Sequence, residues 1–285
     1  MGLSLQMKKV LKSAVWGVER VLPAPAFESM YRWAFPKYKA LIRFGYICYG
    51  ALFYSWWNGP KWAMMREVYR IMPYTLVGIG GLEASYRLTR RASDLDLAGD
   101  VVELGVARGG CAALLGSAIF DEREPAEVKK RDLWLFDSYE GLPDPTKEDF
   151  LDGAESRGTG DHVRPLPKGS CLGTLDEVQE LLLRRRGFPE DRIHFVKGWF
   201  QDTVPVTGQT IQEIAVLRID GDWYESTKVC LEGLFDKVVA NGAVIIDDYQ
   251  SCYGCERAVD EFLDERNLDV EIHLDGRGGC YFLKP

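Results

Sequence analysis

Two short acidic clusters each end an apolar run: Leu217-Arg-Ile-Asp220-Gly-Asp222 and Ile245-Ile-Asp247-Asp248. If these runs are neighbouring strands, four carboxylates converge at one edge of a sheet. Like charges that close are costly to ionise together, and the economical arrangement is a hard divalent cation held by oxygen ligands. Mg2+ takes an octahedron that leaves positions for water or substrate, and two vicinal hydroxyls can fill them. Coordination acidifies a hydroxyl, and a neighbouring carboxylate can then remove its proton. The plainer reading is that some of these acids cap the helices that follow, since Asp is a good N-cap.

A second cluster is a turn. The run Val101 to Val106 leads through Glu103-Leu-Gly105-Val-Ala-Arg-Gly109-Gly110. Glycines there let backbone approach a ligand at the carboxyl end of a strand, where open α/β sheets bind. The turn is not the G-x-G-x-x-G dinucleotide fingerprint and lacks the Lys-Ser/Thr of a P-loop, which disfavours nucleoside triphosphates. Glu103 would repel a pyrophosphate, yet it could accept from a cationic amino group. The next apolar run ends Leu135-Phe-Asp137-Ser138, where a carboxylate can take both hydroxyls of a ribose. S-adenosylmethionine suits that pair, having an amino acid tail, a free ribose and no phosphate. Taken alone, a glycine turn is also ordinary backbone punctuation.

These residues need a sheet to position them. From residue 101 short apolar strands alternate with helical patterns: strands near 101–106, 133–138, 193–196, 214–219 and 243–246, helices near 111–120, 175–186, 227–239 and 255–265. That alternation predicts an α/β fold with a parallel sheet covered on both faces. Two β-rich pieces, 270–274 and 279–283, can close it as an antiparallel hairpin. The stretch from 140 to 173, with prolines and glycines, is too long for a simple connection and reads as an active-site lid. Ahead of the sheet, helices are expected over 3–22, 27–57 with a break near Pro36, and 75–91.

Four ordered motifs now resemble a known family. Glu103-Leu-Gly-Val-Ala-Arg-Gly-Gly110, Gly198-Trp-Phe-Gln-Asp-Thr203, Asp220-Gly-Asp-Trp-Tyr-Glu-Ser-Thr227 and Val244-Ile-Ile-Asp-Asp-Tyr249 are similar to the signatures of the macrocin O-methyltransferase (TylF-type) family. The resemblance covers about residues 75–285. It implies a class I methyltransferase, Rossmann-like sheet, S-adenosylmethionine as donor, Mg2+ as required metal, and a sugar hydroxyl of a glycosylated natural product or cell-surface or lipid-linked glycan as acceptor. By position it implies Asp220, Asp247 and Asp248 as metal ligands, and Asp222 as general base with Asp220 the alternative. Glu103, Gly105 and Gly109 would line the methionine end of the donor, Asp137 and Ser138 the ribose, and Gly198, Trp199 and Phe200 the adenine. The chain then divides into a basic, aromatic helical extension, residues 1–74, and a methyltransferase domain, residues 75–285.

Two rival functions share these residues. A catechol-type O-methyltransferase also presents paired hydroxyls to Mg2+ beside the same donor, and Lys228, one turn beyond Tyr224, could be its base or simply a surface lysine. A catalytically silent assembly module is the other, and it has no reason to gather four carboxylates. His162, His194 and His273 are isolated and read as surface or structural residues. Trp223 and Tyr224 could wall an acceptor pocket or pack in the core.

The formal net charge of -8 hides two opposite parts. Residues 1–70 carry 11 basic and 3 acidic side chains, a balance of +8, and the rest carry 24 and 40, or -16. An acidic body disfavours nucleic acid as a partner. Seven scattered cysteines fit a reduced cytoplasmic setting. Cys252 and Cys255 have the spacing of a redox motif or half a zinc site, with no second pair to complete it. The start does not read as a cleaved signal, because Lys8, Lys9 and Lys12 precede a mixed helix. The uncharged window Phe44 to Pro60 is 17 residues long, short of the roughly 20 a spanning helix needs, and its aromatics suit a membrane interface. The front end therefore reads as a homo-oligomer contact, or as a basic amphipathic surface resting on the inner face of the membrane.

Overall fold

The computed structural model describes residues 24–120, 131–151 and 166–285. The helix expected over 3–22 and His162 lie outside them. By internal contacts the chain divides into two compact units, residues 1–65 and 66–285, a division that falls ahead of the 74/75 boundary expected from the sequence.

The described residues of the front unit are helical. Helix α1, Ala24–Phe53, runs without interruption. The break expected at Pro36 is absent: a proline removes one backbone donor, and the helix propagating on both sides outweighs that loss. Helix α2, Gly59–Ile71, was not anticipated. Its signal was present in Met64, Met65, Val68 and Ile71, which recur at helical spacing and are all buried. Within the front unit Gly50 of α1 lets the two helices close, since a β-carbon there would stand 2.9 Å from Trp62 and Met65.

The second unit is a seven-stranded sheet. Its elements in chain order are α3 (Ile79–Asp94), β1 (Asp100–Leu104), α4 (Gly110–Ile119), β2 (Leu133–Asp137), α5 (Leu175–Gln179), β3 (Ile193–Lys197), α6 (Phe200–Thr203), β4 (Ile214–Ile219), α7 (Tyr224–Leu234), β5 (Val238–Ile246), α8 (Tyr253–Glu265), β6 (His273–Leu274) and β7 (Cys280–Leu283). The strand order is β3-β2-β1-β4-β5-β7-β6. The first five are mutually parallel, and β7 runs antiparallel to β5 and to β6. The predicted mostly parallel sheet with its antiparallel closing hairpin is therefore the observed fold. The order in which strands are added reverses between β1 and β4, the switch point at which open α/β sheets bind ligands.

Period-two alternation sorts the sheet's two faces. Val102, Leu104, Leu217, Ile219, Val244 and Ile246 join one core cluster with Leu231 and Leu234 of α7 and Val259 and Phe262 of α8. Helix α8 contributes Cys255, Ala258, Val259, Phe262 and Leu263, the i, i+3, i+4, i+7, i+8 spacing of one buried face. Truncating such a leucine to alanine costs about 2–5 kcal/mol. The opposite parity places Glu103 and Arg218, paired across β1 and β4, on the other face, and both are completely buried.

Candidate active site

Strand register brings the acids together. Ile219 pairs with Ile246, so Asp220 and Asp247 leave the sheet side by side, and the Asp247 amide donates to the Ile219 carbonyl at 3.0 Å. Ligand oxygens of Asp220, Asp247 and Asp248 all lie within 4.8 Å of one another. The three side chains are only partly buried, so this edge is open to a ligand.

Arg218 is the residue that sequence reasoning missed. Its guanidinium donates to Glu103 Oε1 at 3.1 Å, Asp220 Oδ2 at 2.9 Å and Asp247 Oδ1 at 2.6 Å. Three adjacent strands are thus tied by one fully buried cation. The signal was a charge inside the buried run Ile214–Ile219, because a buried charge has to be paired.

One guanidinium does not balance five acids. Burial, then the charge of Asp220, holds Asp247 up to about 7 against the pull of Arg218. Burial, then Asp220 and Asp247, keeps Asp222 well above the usual carboxylate range, and burial with Asp222 and Asp220 does the same to Asp248. Burial lifts Glu103 to about 8, opposed by Arg218. A divalent cation fits this set. The donors are hard oxygens, and Asp248 Oδ2 is buried with no hydrogen-bond partner, while its other oxygen accepts from Ser251 at 3.1 Å. Asp222, Asp248 and Cys252 form a second trio of the same tightness. Burial keeps the Cys252 thiol protonated, which leaves the oxygen-only trio as the better cradle for a hard ion.

Asp222 sits beside the trio in a left-handed conformation, φ 56°. Its carboxylate takes no bond from Arg218, and its contact is the Cys252 thiol at 3.9 Å. Two contacts from the 140–151 segment hold the loop around it: Trp223 Nε1 donates to the Pro143 carbonyl at 3.2 Å, and the Tyr224 amide donates to Asp149 Oδ1 at 2.7 Å. Asp149 therefore supplies the first turn of α7 with an acceptor, and it also closes its own turn by accepting from the Thr146 amide at 2.7 Å. The Thr146-x-x-Asp149 spacing was the available sequence signal. Trp223 belongs to the core cluster. Lys228 turns to the Tyr224 hydroxyl at 3.3 Å.

The glycine turn lies against the same edge. Gly105 has φ +92°, and a β-carbon on it would stand 1.9 Å from the Asp220 carbonyl oxygen. The Asp220 amide donates back to the Leu104 carbonyl at 2.8 Å. Gly109, φ +78°, opens α4. Asp137 braces this turn: Oδ2 accepts from the amides of Val106 at 2.7 Å and Ala107 at 2.9 Å, and Oδ1 from Tyr139 at 2.6 Å. Ser138 accepts from the Glu140 amide and donates to the Gly141 carbonyl. Glu103, expected at the methionine end of the donor, is wholly buried, so the cation it meets is Arg218 from within the chain. Gly198, φ +146°, donates its amide to the Asp137 carbonyl at 3.0 Å. That hydrogen bond puts the Gly198-Trp199-Phe200 turn next to the end of β2. The 166–173 segment folds onto the glycine turn, where a β-carbon on Gly173 would stand 2.0 Å from the Ala107 carbonyl. Residues 152–165 of the expected lid lie outside the described residues.

Known proteins resemble this chain in sequence and fold. Residues 62–284 match the family model described as macrocin-O-methyltransferase (TylF). Demethyldecarbamoylnovobiocin O-methyltransferase of Streptomyces niveus is 34% identical over 209 residues, 73% of this chain and 75% of that protein. Mycinamicin III 3''-O-methyltransferase of Micromonospora griseorubida is 31% identical over 217 residues, 76% of this chain and 80% of that protein. The solved structure of the O-methyltransferase NovP aligns with a TM-score of 0.63 at 32% identity, covering 74% of this chain and 82% of that one. A calicheamicin methyltransferase, at 19% identity and a TM-score of 0.53 over 79% of this chain and 93% of that one, shares the fold. From residue 62 onward, then, the chain belongs to the macrocin O-methyltransferase family and is an O-methyltransferase.

Proposed function

We propose that this enzyme transfers the methyl group of S-adenosylmethionine to a sugar hydroxyl of a glycosylated acceptor, either a natural product or a cell-surface or lipid-linked glycan, with Mg2+ as its required ion. The observation that carries the reading is the oxygen-only trio Asp220, Asp247 and Asp248 beside Asp222, at the edge where β1 and β4 part. The name of a relative from Streptomyces olivaceus, 8-demethyl-8-(2,3-dimethoxy-alpha-L-rhamnosyl)-tetracenomycin-C 4'-O-methyltransferase, 32% identical over 72% of this chain and 74% of that protein, supports the sugar.

The chain's residues divide the work. Asp220, Asp247 and Asp248 would hold the ion, whose bound charge acidifies one hydroxyl of a vicinal diol. Asp222, which takes no bond from Arg218, would take the hydroxyl proton as the oxygen forms its bond to the methyl carbon and the donor's carbon–sulfur bond breaks. Gly105 and Gly109 offer close backbone to the donor's amino acid tail. Asp137 and Ser138 would take its ribose, and Gly198, Trp199 and Phe200 its adenine. The segments flanking the 152–165 stretch would exclude water from the reacting atoms.

We place the reaction in the cytoplasm, a setting supported by seven cysteines that are all free thiols. The front unit we assign to docking, as a homo-oligomer contact or on the membrane's inner face, because the family match begins only at residue 62. Incubating the full chain with S-adenosylmethionine and either a vicinal-diol glycoside or a catechol, with Mg2+ or with chelator, tests the reading. Methylated glycoside that disappears with chelator and in Asp247→Ala is the expected outcome. Methylation of the catechol alone would transfer the site to the catechol class, and no product from a folded, donor-binding chain would leave a silent module.

A further inference from the structure

Among the described residues, 33 to 57 hold the densest exposed apolar surface. Of 17 exposed large hydrophobic side chains among the described residues, ten lie in this segment, including every exposed aromatic one. Scattered leucines such as Leu76, Leu95 and Leu274 are ordinary on a surface, whereas a contiguous set marks an interaction site.

The set has a direction. Trp33, Leu41, Phe44 and Leu52 are 67, 68, 64 and 71% exposed; on a helix turning about 100° per residue they fall in a stripe about 100° wide, which Tyr38, Ile42, Tyr49 and Phe53 extend to an arc of about 200°. Gly50, which packs against Trp62 and Met65 of α2, lies on the opposite side of α1. The helix thus meets its neighbour at Gly50 and turns its exposed aromatic arc away from that point. Lys37 lies inside the stripe, its Nζ 3.3 Å from the centre of the Trp33 ring. Trp56 and Trp57 carry the apolar surface past the helix end.

Charge selects the partner. Residues 1–65 contain nine basic and two acidic side chains, so a second copy of this unit meets its own sign. We infer that α1 and the tryptophan pair that follows it dock in the headgroup layer of an anionic phospholipid bilayer. Amphipathic aromatic rings settle at that depth, and clustered Lys and Arg are drawn to anionic lipid. No helix among the described residues is long and apolar enough to cross a membrane, so α1 lies in the plane of the interface. This inference stands apart from the methyl-transfer reading, since it uses none of the residues of that site.

Flotation of the full chain with vesicles of phosphatidylcholine alone, or mixed with phosphatidylglycerol, tests it. The expected result is at least about tenfold stronger partitioning onto the anionic vesicles, weakened by salt, with a blue shift of tryptophan emission. Trp56→Ser with Trp57→Ser should reduce binding about tenfold, as should Lys37→Glu with Lys61→Glu, while circular dichroism stays unchanged. Absence of flotation, or equal flotation on both vesicles, overturns the inference. So does a dimer by light scattering that ignores vesicles and dissociates in the tryptophan double variant, because the stripe would then be a contact between copies.

Discussion

The sheet edge and the front helix break the ordinary rule of protein interiors in opposite directions. At the edge, charge goes inside: Arg218 and Glu103 are completely buried, and three aspartates crowd beside them. On α1, aromatic surface stays outside. Each violation costs free energy in an isolated chain, so each points to something that the chain alone does not contain. The edge asks for a cation and a polar substrate, whereas the helix asks for an apolar medium with anionic borders. The same composition therefore encodes two kinds of incompleteness, one chemical and one interfacial.

The sharpest way to break the contrast is at the base. Asp222→Asn should lower kcat by about 10²–10⁴-fold with a small change in KM, measured by methyl transfer under saturating Mg2+. An unchanged kcat would move the base to Asp220. Next is the buried cation. Arg218→Met leaves Glu103 and Asp247 without their partner, and unfolding by denaturant should show a loss of about 3–5 kcal/mol. A loss below about 1 kcal/mol would mean the carboxylates simply protonate and the network is dispensable. Asp149→Ala removes the acceptor at the start of α7 and should cost about 0.5–2 kcal/mol, with faster amide exchange at Tyr224.

A pH titration is subtler. Glu103 near 8 and Asp247 near 7 hold protons in the folded state that the unfolded chain releases at ordinary carboxylate values. The folded state binds more protons across that window, so the melting temperature of metal-free protein should fall as pH rises from about 5 to about 8. Adding Mg2+ at the upper end should restore it. A melting temperature that rises instead would contradict the crowding of these acids. Smallest of all, Leu41→Ser on the exposed stripe should alter folding stability by no more than about 0.5 kcal/mol, the expected behaviour of a surface position.

The two regions were also unequally legible in the sequence. Asp220 and Asp247 could be paired before any coordinates, because each ends an apolar run and parallel neighbours align such ends. The predicted sheet with its closing hairpin followed from the same alternation. Arg218 stayed hidden, since a lone arginine in a strand has no motif and its meaning lies in three partners drawn from β1, β4 and β5. Glu103 was misleading for the same reason: a strand residue's parity decides which face it serves, and here that face is the dry one. Strand β5 begins at Val238 rather than near 243, because Asn241 at φ 63° and Gly242 look like turn residues when only composition is visible. The front helix was readable as amphipathic. Its continuity through Pro36 was not, because propagation depends on both flanks at once.

Gly105 leaves one last consequence. Its missing side chain is the clearance between the turn proposed to meet the methyl donor and the carbonyl of the residue that begins the acid cluster. The two half-sites are therefore built as a single hydrogen-bonded piece with no hinge between them, and their spacing is fixed when the sheet folds. Alignment of donor and acceptor becomes a manufacturing tolerance rather than a motion. An error of about 1 Å there would be felt as about a hundredfold in rate, and no movement of the overlying segments could correct it.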